Sequence, residues 1–402
     1  MRPGHPHWTN LQGRMSSELS RDKISGQAES SFSPLTKHSP TVCFNMDANS
    51  SDFPLDPDVL ELRFDDIIAQ VPKTTPDETN KAKSLYEALR SDTRAAAFFE
   101  AIESNPRLAA LLQDETSEYT VFLPLHFESN YSTADELEQA LSLHISPHYV
   151  TLDGMLHMPN VPMLLTPSTS NGPVVVRARP SESGWTVDGV TVSQGDCLAG
   201  NGVIHKLDPA LSLPLGTAAT LQALKLTRLH HAVTASGFIA TIEASETKGG
   251  TFFAPSEKAW LDLGENILRF LDTEHGYPYL LALLKKHFCP NITFFSNLIW
   301  PQNNTGDRQT SADGQRRIKG KIQRPLQTAL GDGVTVTIDI ARFNGLIVMR
   351  ADGDAKFLQQ DVPTTNGATH VIDKVLLPTP METPKDLEMF KELLAPYVRR
   401  AG

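Results

Sequence analysis

Asn366-Gly367-Ala368-Thr369-His370-Val371-Ile372-Asp373-Lys374-Val375-Leu376-Leu377-Pro378 is the stretch whose reading decides the fold. Asn-Gly is a turn pair that reaches positive φ at low steric cost. Val371, Ile372, Val375, Leu376 and Leu377 then read as a buried strand, closed by Pro378. A second copy gives the stretch its weight. Asn201-Gly202-Val203-Ile204-His205-Lys206-Leu207-Asp208 has the same skeleton, Asn-Gly-x-x-His-x-x-Asp, 165 residues earlier (367 minus 202). One copy describes a turn and a strand. Two copies predict that one folding unit is written into the chain twice.

Two further boxes recur in the same order. Thr120-Val121-Phe122-Leu123-Pro124 returns as Thr251-Phe252-Phe253-Ala254-Pro255, a short β-rich run closed by proline. A histidine follows a Leu-rich helical segment at His144 and again at His287. Around these boxes the chain divides into a disordered N-terminal segment (1–55), a short helix and polar linker (56–81), a first unit (82–214), a second unit (217–378) and a closing helix (383–400). The first segment is rich in Ser, Pro and Thr and has little apolar surface to offset the entropy of ordering. Leu60, Phe64, Ile67, Ile68 and Val71 recur at helical spacing. In the second unit, Ile267 to His287 reads as one helix and Pro301 to Lys321 as a basic loop between strands. Thr383 is the expected N-cap of the closing helix, with Pro384 starting it.

The order of boxes resembles the fasciclin domain. Phe252-Phe253-Ala254-Pro255-Ser256-Glu257-Lys258-Ala259-Trp260 is similar to the first fasciclin box, and Asn366 to Pro378 to the last almost throughout. The first copy departs from the pattern at Pro124-Leu125-His126-Phe127. The resemblance implies an α/β (α+β) fold: two tandem domains, each a β-wedge of about seven strands packed with helices. It makes the boxes mainly structural. Pro124 and Pro255 end a core strand. The turns at Asn201-Gly202 and Asn366-Gly367 lead into a central strand that runs to Asp208 and Asp373. His205 and His370 satisfy buried backbone groups. His144 and His287 fall at the family's Tyr-His position, tied in animal relatives to receptor binding, but Leu143 and Lys286 stand where the Tyr would be.

Composition bounds the function. The chain has 402 residues, 40% of them hydrophobic and 21% charged, with a net charge of −11, which argues against a nucleic-acid partner. No apolar run approaches the ~20 residues that span a bilayer. Three cysteines (Cys43, Cys197, Cys289) make no disulfide framework or metal spacing. The first residues lack a signal-peptide core, which reads as cytoplasmic, whereas the family resemblance points to secretion. Sequons at Asn49, Asn130, Asn291 and Asn303 matter only in the secretory pathway. No cofactor or metal motif is present. Cys289 is either a buried or a reactive thiol, and the basic run from Arg308 to Arg324 either a solvated loop or a dock for an acidic partner.

Two functional readings remain. The first is a non-enzymatic interaction or adhesion protein, bound through its surfaces to a protein partner. The second is an accessory protein, catalytic or not, of a fungal specialised-metabolite pathway. Similar two-domain fasciclin proteins occur in fungi beside laccase-like oxidases, and the implied role is to orient an aromatic polyketide or assist its oxidative coupling. On that reading His144 and His287 are the proton-transfer candidates, expected to be less buried than the Asn-Gly box histidines.

Overall fold

The computed structural model describes residues 55–58, 60, 71, 75–128, 130–181, 184–244, 248–296, 308–310, 316–331, 333–378, 384 and 386–401. The described residues all belong to one compact unit that contains both repeats. The calls on residues 1–54, on Phe64 to Ile68 and on Thr383 lie outside the described residues.

The first domain opens on β1 (Asp77–Asn80), inside the stretch expected to be a linker. Its four residues show no apolar alternation. They form a strand by pairing in parallel with β7. Helices α1 (Leu85–Ser91), α2 (Ala96–Glu103) and α3 (Pro106–Gln113) follow, the first closed by a reciprocal capping box between Ser84 and Glu87. Then come β2 (Tyr119–Pro124), α4 (Ala134–Leu143), β3 (Ile145–Ser146), α5 (Leu152–His157), β4 (Asn160–Pro162), β5 (Val175–Ser181), β6 (Gly184–Val187), β7 (Val190–Ala199) and β8 (Gly202–Asp208). The sheet order is β3-β2-β8-β7-β6-β5-β4, with β2 and β8 a parallel pair one strand in from the β3 edge. Both faces of β2 are buried, which explains its unbroken apolar sequence.

The second domain repeats the plan. Helices α6 (Thr217–Ala223), α7 (Thr227–Ala235) and α8 (Phe238–Ile242) lead to β9 (Gly250–Pro255), then α9 (Glu257–Leu261), α10 (Glu265–Leu271), α11 (Tyr277–His287) and β10 (Phe288–Pro290). Strands β11 (Arg308–Thr310), β12 (Arg316–Gln327), β13 (Thr335–Phe343), β14 (Leu346–Ala351), β15 (Ala355–Thr364) and β16 (Gly367–Ile372) complete it, in the order β10-β9-β16-β15-β14-β13-β12-β11. Here β9 and β16 are the corresponding parallel pair, one strand in from the β10 edge. The fold class is as the resemblance implied: two curled sheets of seven or eight strands, packed with helices.

Three local expectations are corrected. Ile267 to His287 is two helices, not one. Thr273 accepts the Gly276 amide at 3.0 Å, and Pro278 restarts the chain in the first turn of α11. The basic stretch up to Lys321 is strand rather than loop from Arg316 onward, because β12 pairs with β13 from Lys319↔Phe343 to Gln327↔Thr335. The closing helix α12 spans Leu387–Ala401 and does not begin at Pro384. Asp386 accepts the Met389 amide at 2.9 Å, so a carboxylate supplies the cap.

The two domains share a core. One contiguous apolar cluster joins Phe122, Val176 and Leu207 of the first sheet to Ala341, Phe343, Leu346 and Val348 of the second. The β13–β14 turn approaches so closely that a Cβ on Gly345 would lie 2.2 Å from the Leu156 carbonyl oxygen. A buried polar cluster lies beside it. Asp361 Oδ2 accepts from Asn160 Nδ2 at 2.8 Å and stands 3.4 Å from an Arg177 Nη1, both across the domain boundary. Within its own domain Asp361 takes the Ser296 amide and hydroxyl at 2.8 and 2.5 Å. Its repeat counterpart, Asp196, accepts the Leu152 amide at 2.9 Å without leaving its domain. Asp361→Ala leaves buried donors and the Arg177 guanidinium without their carboxylate, so we expect a loss of about 3–5 kcal/mol. Asp196→Ala should cost less. Equal urea midpoints for the two variants would contradict the asymmetry.

Candidate functional site

The predicted box residues assemble into one device, built twice. His205 donates from Nε2 to the Val150 carbonyl at 2.8 Å and accepts the Asp196 amide at Nδ1 at 3.2 Å. His370 donates from Nε2 to the Phe294 carbonyl at 2.9 Å and accepts the Asp361 amide at 3.0 Å. Asp196 and Asp361 both sit at register irregularities of β7 and β15, with φ of 50° and 62°. The box threonines hold the other side of the same loop residues. Thr120 Oγ1 accepts the Val150 amide at 2.9 Å, and Thr251 Oγ1 the Phe294 amide at 2.9 Å. One threonine and one histidine therefore pin a single residue in each domain.

The asparagines tie helices to the central strand. Asn201 accepts the Leu85 amide at 2.6 Å and donates to the carbonyls of Leu112 and Asp114 at 3.0 and 2.9 Å. Asn366 donates to the Ile242 carbonyl at 2.5 Å and accepts the Thr217 hydroxyl at 3.2 Å. The glycine beside each is not a turn residue, as the sequence suggested. The turns are Gly200-Asn201 and Thr365-Asn366, and the glycine begins the strand. It is required by proximity: a Cβ on Gly202 would lie 2.1 Å from the Tyr119 carbonyl oxygen, and one on Gly367 would lie 2.0 Å from that of Gly250. Pro124 and Pro255 are the buried last residues of β2 and β9. Asp373 accepts the Lys356 amide at 2.6 Å, whereas Asp208 is exposed and faces His126 Nδ1 at 2.9 Å.

His144 and His287, expected to be less buried, are as buried as the other pair, at 0% and 1% exposure. Each terminates a helix that packs under its own domain. His144 donates from Nδ1 to Ala140 O at 2.8 Å and accepts the Leu211 amide at Nε2 at 3.0 Å. His287 repeats this with Leu283 O at 2.7 Å and the Leu376 amide at 2.8 Å. Burial pulls both rings down to about 4, partly offset by the bond to the carbonyl. Burial likewise lowers His205 and His370. Both nitrogens of all four rings are engaged with backbone groups.

A cleft of about 580 Å³ lies between the domains. Its polar wall carries Arg177, Arg179, Asp188 and Gln360. Its apolar lining comes from Leu213, Pro214 and Leu215 of the interdomain connection, with Leu224, Val362 and Pro363. The volume is that of an ordinary small-molecule site, and the mixture of an apolar body with a few convergent donors is the usual composition of one. Leu215, 49% exposed, offers apolar surface at the cleft. Sequence reasoning placed none of these residues at a site. Among the described residues, no group of three or more His, Cys, Asp or Glu is arranged to hold a metal ion.

The model of the fasciclin domain matches this chain twice, over residues 93–214 and 224–378. The chain belongs to the fasciclin-domain family. A curated relative, the aurofusarin biosynthesis cluster protein S of Gibberella zeae, is 26% identical over 329 residues, covering 75% of this chain and 78% of its own. Among solved structures, this fasciclin pair is similar to a FAS1 domain pair from the insect cell adhesion molecule Fasciclin I. That match has 19% identity and a TM-score of 0.34, and covers 70% of this chain and 96% of that one.

Other candidates can be placed on this fasciclin pair. Cys197 and Cys289 are buried free thiols, and burial pushes Cys197 up to about 11 and Cys289 higher still. Asn130 and Asn291 are exposed, and Asn291 Oδ1 accepts the Lys248 amide at 3.2 Å. Asn303 and Asn49 lie outside the described residues. Among the described residues no helix is long and apolar enough to cross a membrane.

The buried rings make stability depend on pH. An unfolded imidazole titrates near 6.5, whereas the folded His144 and His287 stay neutral down to about 4. Their contribution is therefore complete above 6.5 and is lost as pH falls from there toward about 4, because the unfolded chain binds the extra protons. His287→Gln should flatten the urea-midpoint profile by up to one proton in that window. An unchanged slope would contradict it. His144→Ala strands Ala140 O and Leu211 N and should cost about 1–3 kcal/mol per group, read as a lowered urea midpoint.

Proposed function

We propose that this fasciclin pair is an accessory protein of a fungal specialised-metabolite pathway that holds an aromatic intermediate in the cleft between its domains. The observation that carries the reading is the cleft itself: a cavity of about 580 Å³ whose walls come from both repeats and from the connection between them. The relative named for an aurofusarin biosynthesis cluster supports the setting. The engaged histidines support holding rather than acid–base work, since a proton-transfer role would require breaking buried bonds at both nitrogens. Holding one reactant, or two, in a fixed orientation lowers the entropic part of a coupling barrier without any titrating group. An oxidase would then supply the electron chemistry. The adhesion-type reading, in which partners bind the outer surfaces, differs by leaving the cleft without a role.

The test is occlusion. Ala223 lies exposed on α6 at the cleft wall, so Ala223→Trp fills the space without entering the core. Introduced at the chromosomal locus, it should reduce the pathway's end product as strongly as gene deletion, with an uncoupled precursor accumulating. Normal product from a folded Ala223→Trp protein would overturn the proposal.

A further inference from the structure

One fully buried leucine comes from outside both repeats. Leu60 is 0% exposed and belongs to the apolar cluster that joins the two sheets. It precedes β1, and the fasciclin match begins only at residue 93. Its approach is built locally. Asp56 Oδ1 accepts the Asp58 amide at 2.9 Å, and the Asp56 carbonyl accepts the Leu60 amide at 3.2 Å. An aspartate therefore caps a helical turn that starts at Pro57. Leu55 before the cap, and Val71 further on, are partly buried against the same cluster. Asp58 Oδ1 lies 2.5 Å from Lys319 Nζ on β12. That carboxylate is 81% exposed, so the ion pair adds little stability, but it shows that the turn reaches the second domain.

The cluster that takes Leu60 has members from both domains, among them Met155, Val161 and Trp185 of the first and Phe343, Leu346 and Val348 of the second. Each domain also has apolar clusters of its own. Ile102 and Leu108 belong to one in the first domain, Leu283 and Phe288 to one in the second. Interiors are close-packed, so a side chain removed from a cluster loosens the packing of that cluster first. We propose that residues 55–58 and 60 form a hook that couples the two domains, with Leu60 completing the core they share. Drawing the hook out loosens the seam and leaves each domain's own core packed. Leu213 lines the cleft and also packs on this cluster, so the hook bears on the cleft lining as well. The coupling is independent of whether the cleft holds a molecule.

Native-state hydrogen exchange on the full chain tests it. In Leu60→Ala, the β14 amides of Leu346 and Val348 should exchange at least about tenfold faster than in the wild type, while those of Ile102 in α2 and Leu283 in α11 change less than about twofold. Leu60→Met keeps the volume and should keep the wild-type pattern. If Leu60→Ala does not fold, Leu60→Val carries the same comparison with a smaller shift. Unchanged exchange at Leu346 and Val348 would overturn the proposal. So would a loss confined to first-domain strands, such as β5 around Val176, which would make the hook a part of that domain alone. An equal loss at every site, or a Leu60→Val chain that cannot fold, would make Leu60 a general core residue and overturn it too.

Discussion

A neutral imidazole held at both nitrogens by backbone groups is the constraint on which each domain is organised. His205 and His370 each join a loop carbonyl to the amide of an aspartate at a strand irregularity. The irregularity puts a non-glycine residue at positive φ, a conformation that costs free energy unless its surroundings enforce it. The ring supplies that enforcement. The aspartate side chain then points away from the ladder. In the first domain it caps the Leu152 amide. In the second it crosses the boundary toward Arg177. One interior device thus ends in a local cap in one repeat and in an interdomain contact in the other.

The site we propose lies outside the boxes. The recurrent residues build the interior, and they recur because the same backbone groups must be satisfied in both copies. The cleft is lined by Arg177 and Arg179 on β5, by the connection Leu213-Pro214-Leu215, and by the β15 segment around Asp361. Gene duplication would supply the scaffold twice. The seam between the copies has no counterpart within either, and that is where a ligand site specific to this protein could arise.

How much was legible follows the same division. The repeat, the central strands and most helix faces were readable because Val121, Phe122, Leu123 and their partners are buried on both faces and leave an unbroken apolar run. β5 and β15 were not identified. Arg177 and Arg179 interrupt the first, and the irregularity at Gln360-Asp361 breaks the period of two in the second. β1 was invisible because Asp77-Glu78-Thr79-Asn80 is polar throughout and becomes a strand only through its neighbour. The glycines were read as turn formers, although what requires them is a carbonyl about 2 Å from where a Cβ would sit, which no sequence pattern records. The cleft depends on two domains meeting, and its residues carry no common spacing. Sequence could at most have noted two arginines, two residues apart, on an otherwise apolar β-branched segment.

The claim that the boxed imidazoles are interior struts is tested most directly by nitrogen-15 NMR of the histidine side chains. The account predicts two neutral rings protonated at Nε2, His205 and His370, and two protonated at Nδ1, His144 and His287, with none of the four titrating near 6.5. A ring among these four that gained a proton near 6.5, or that exchanged between tautomers in the folded protein, would contradict it.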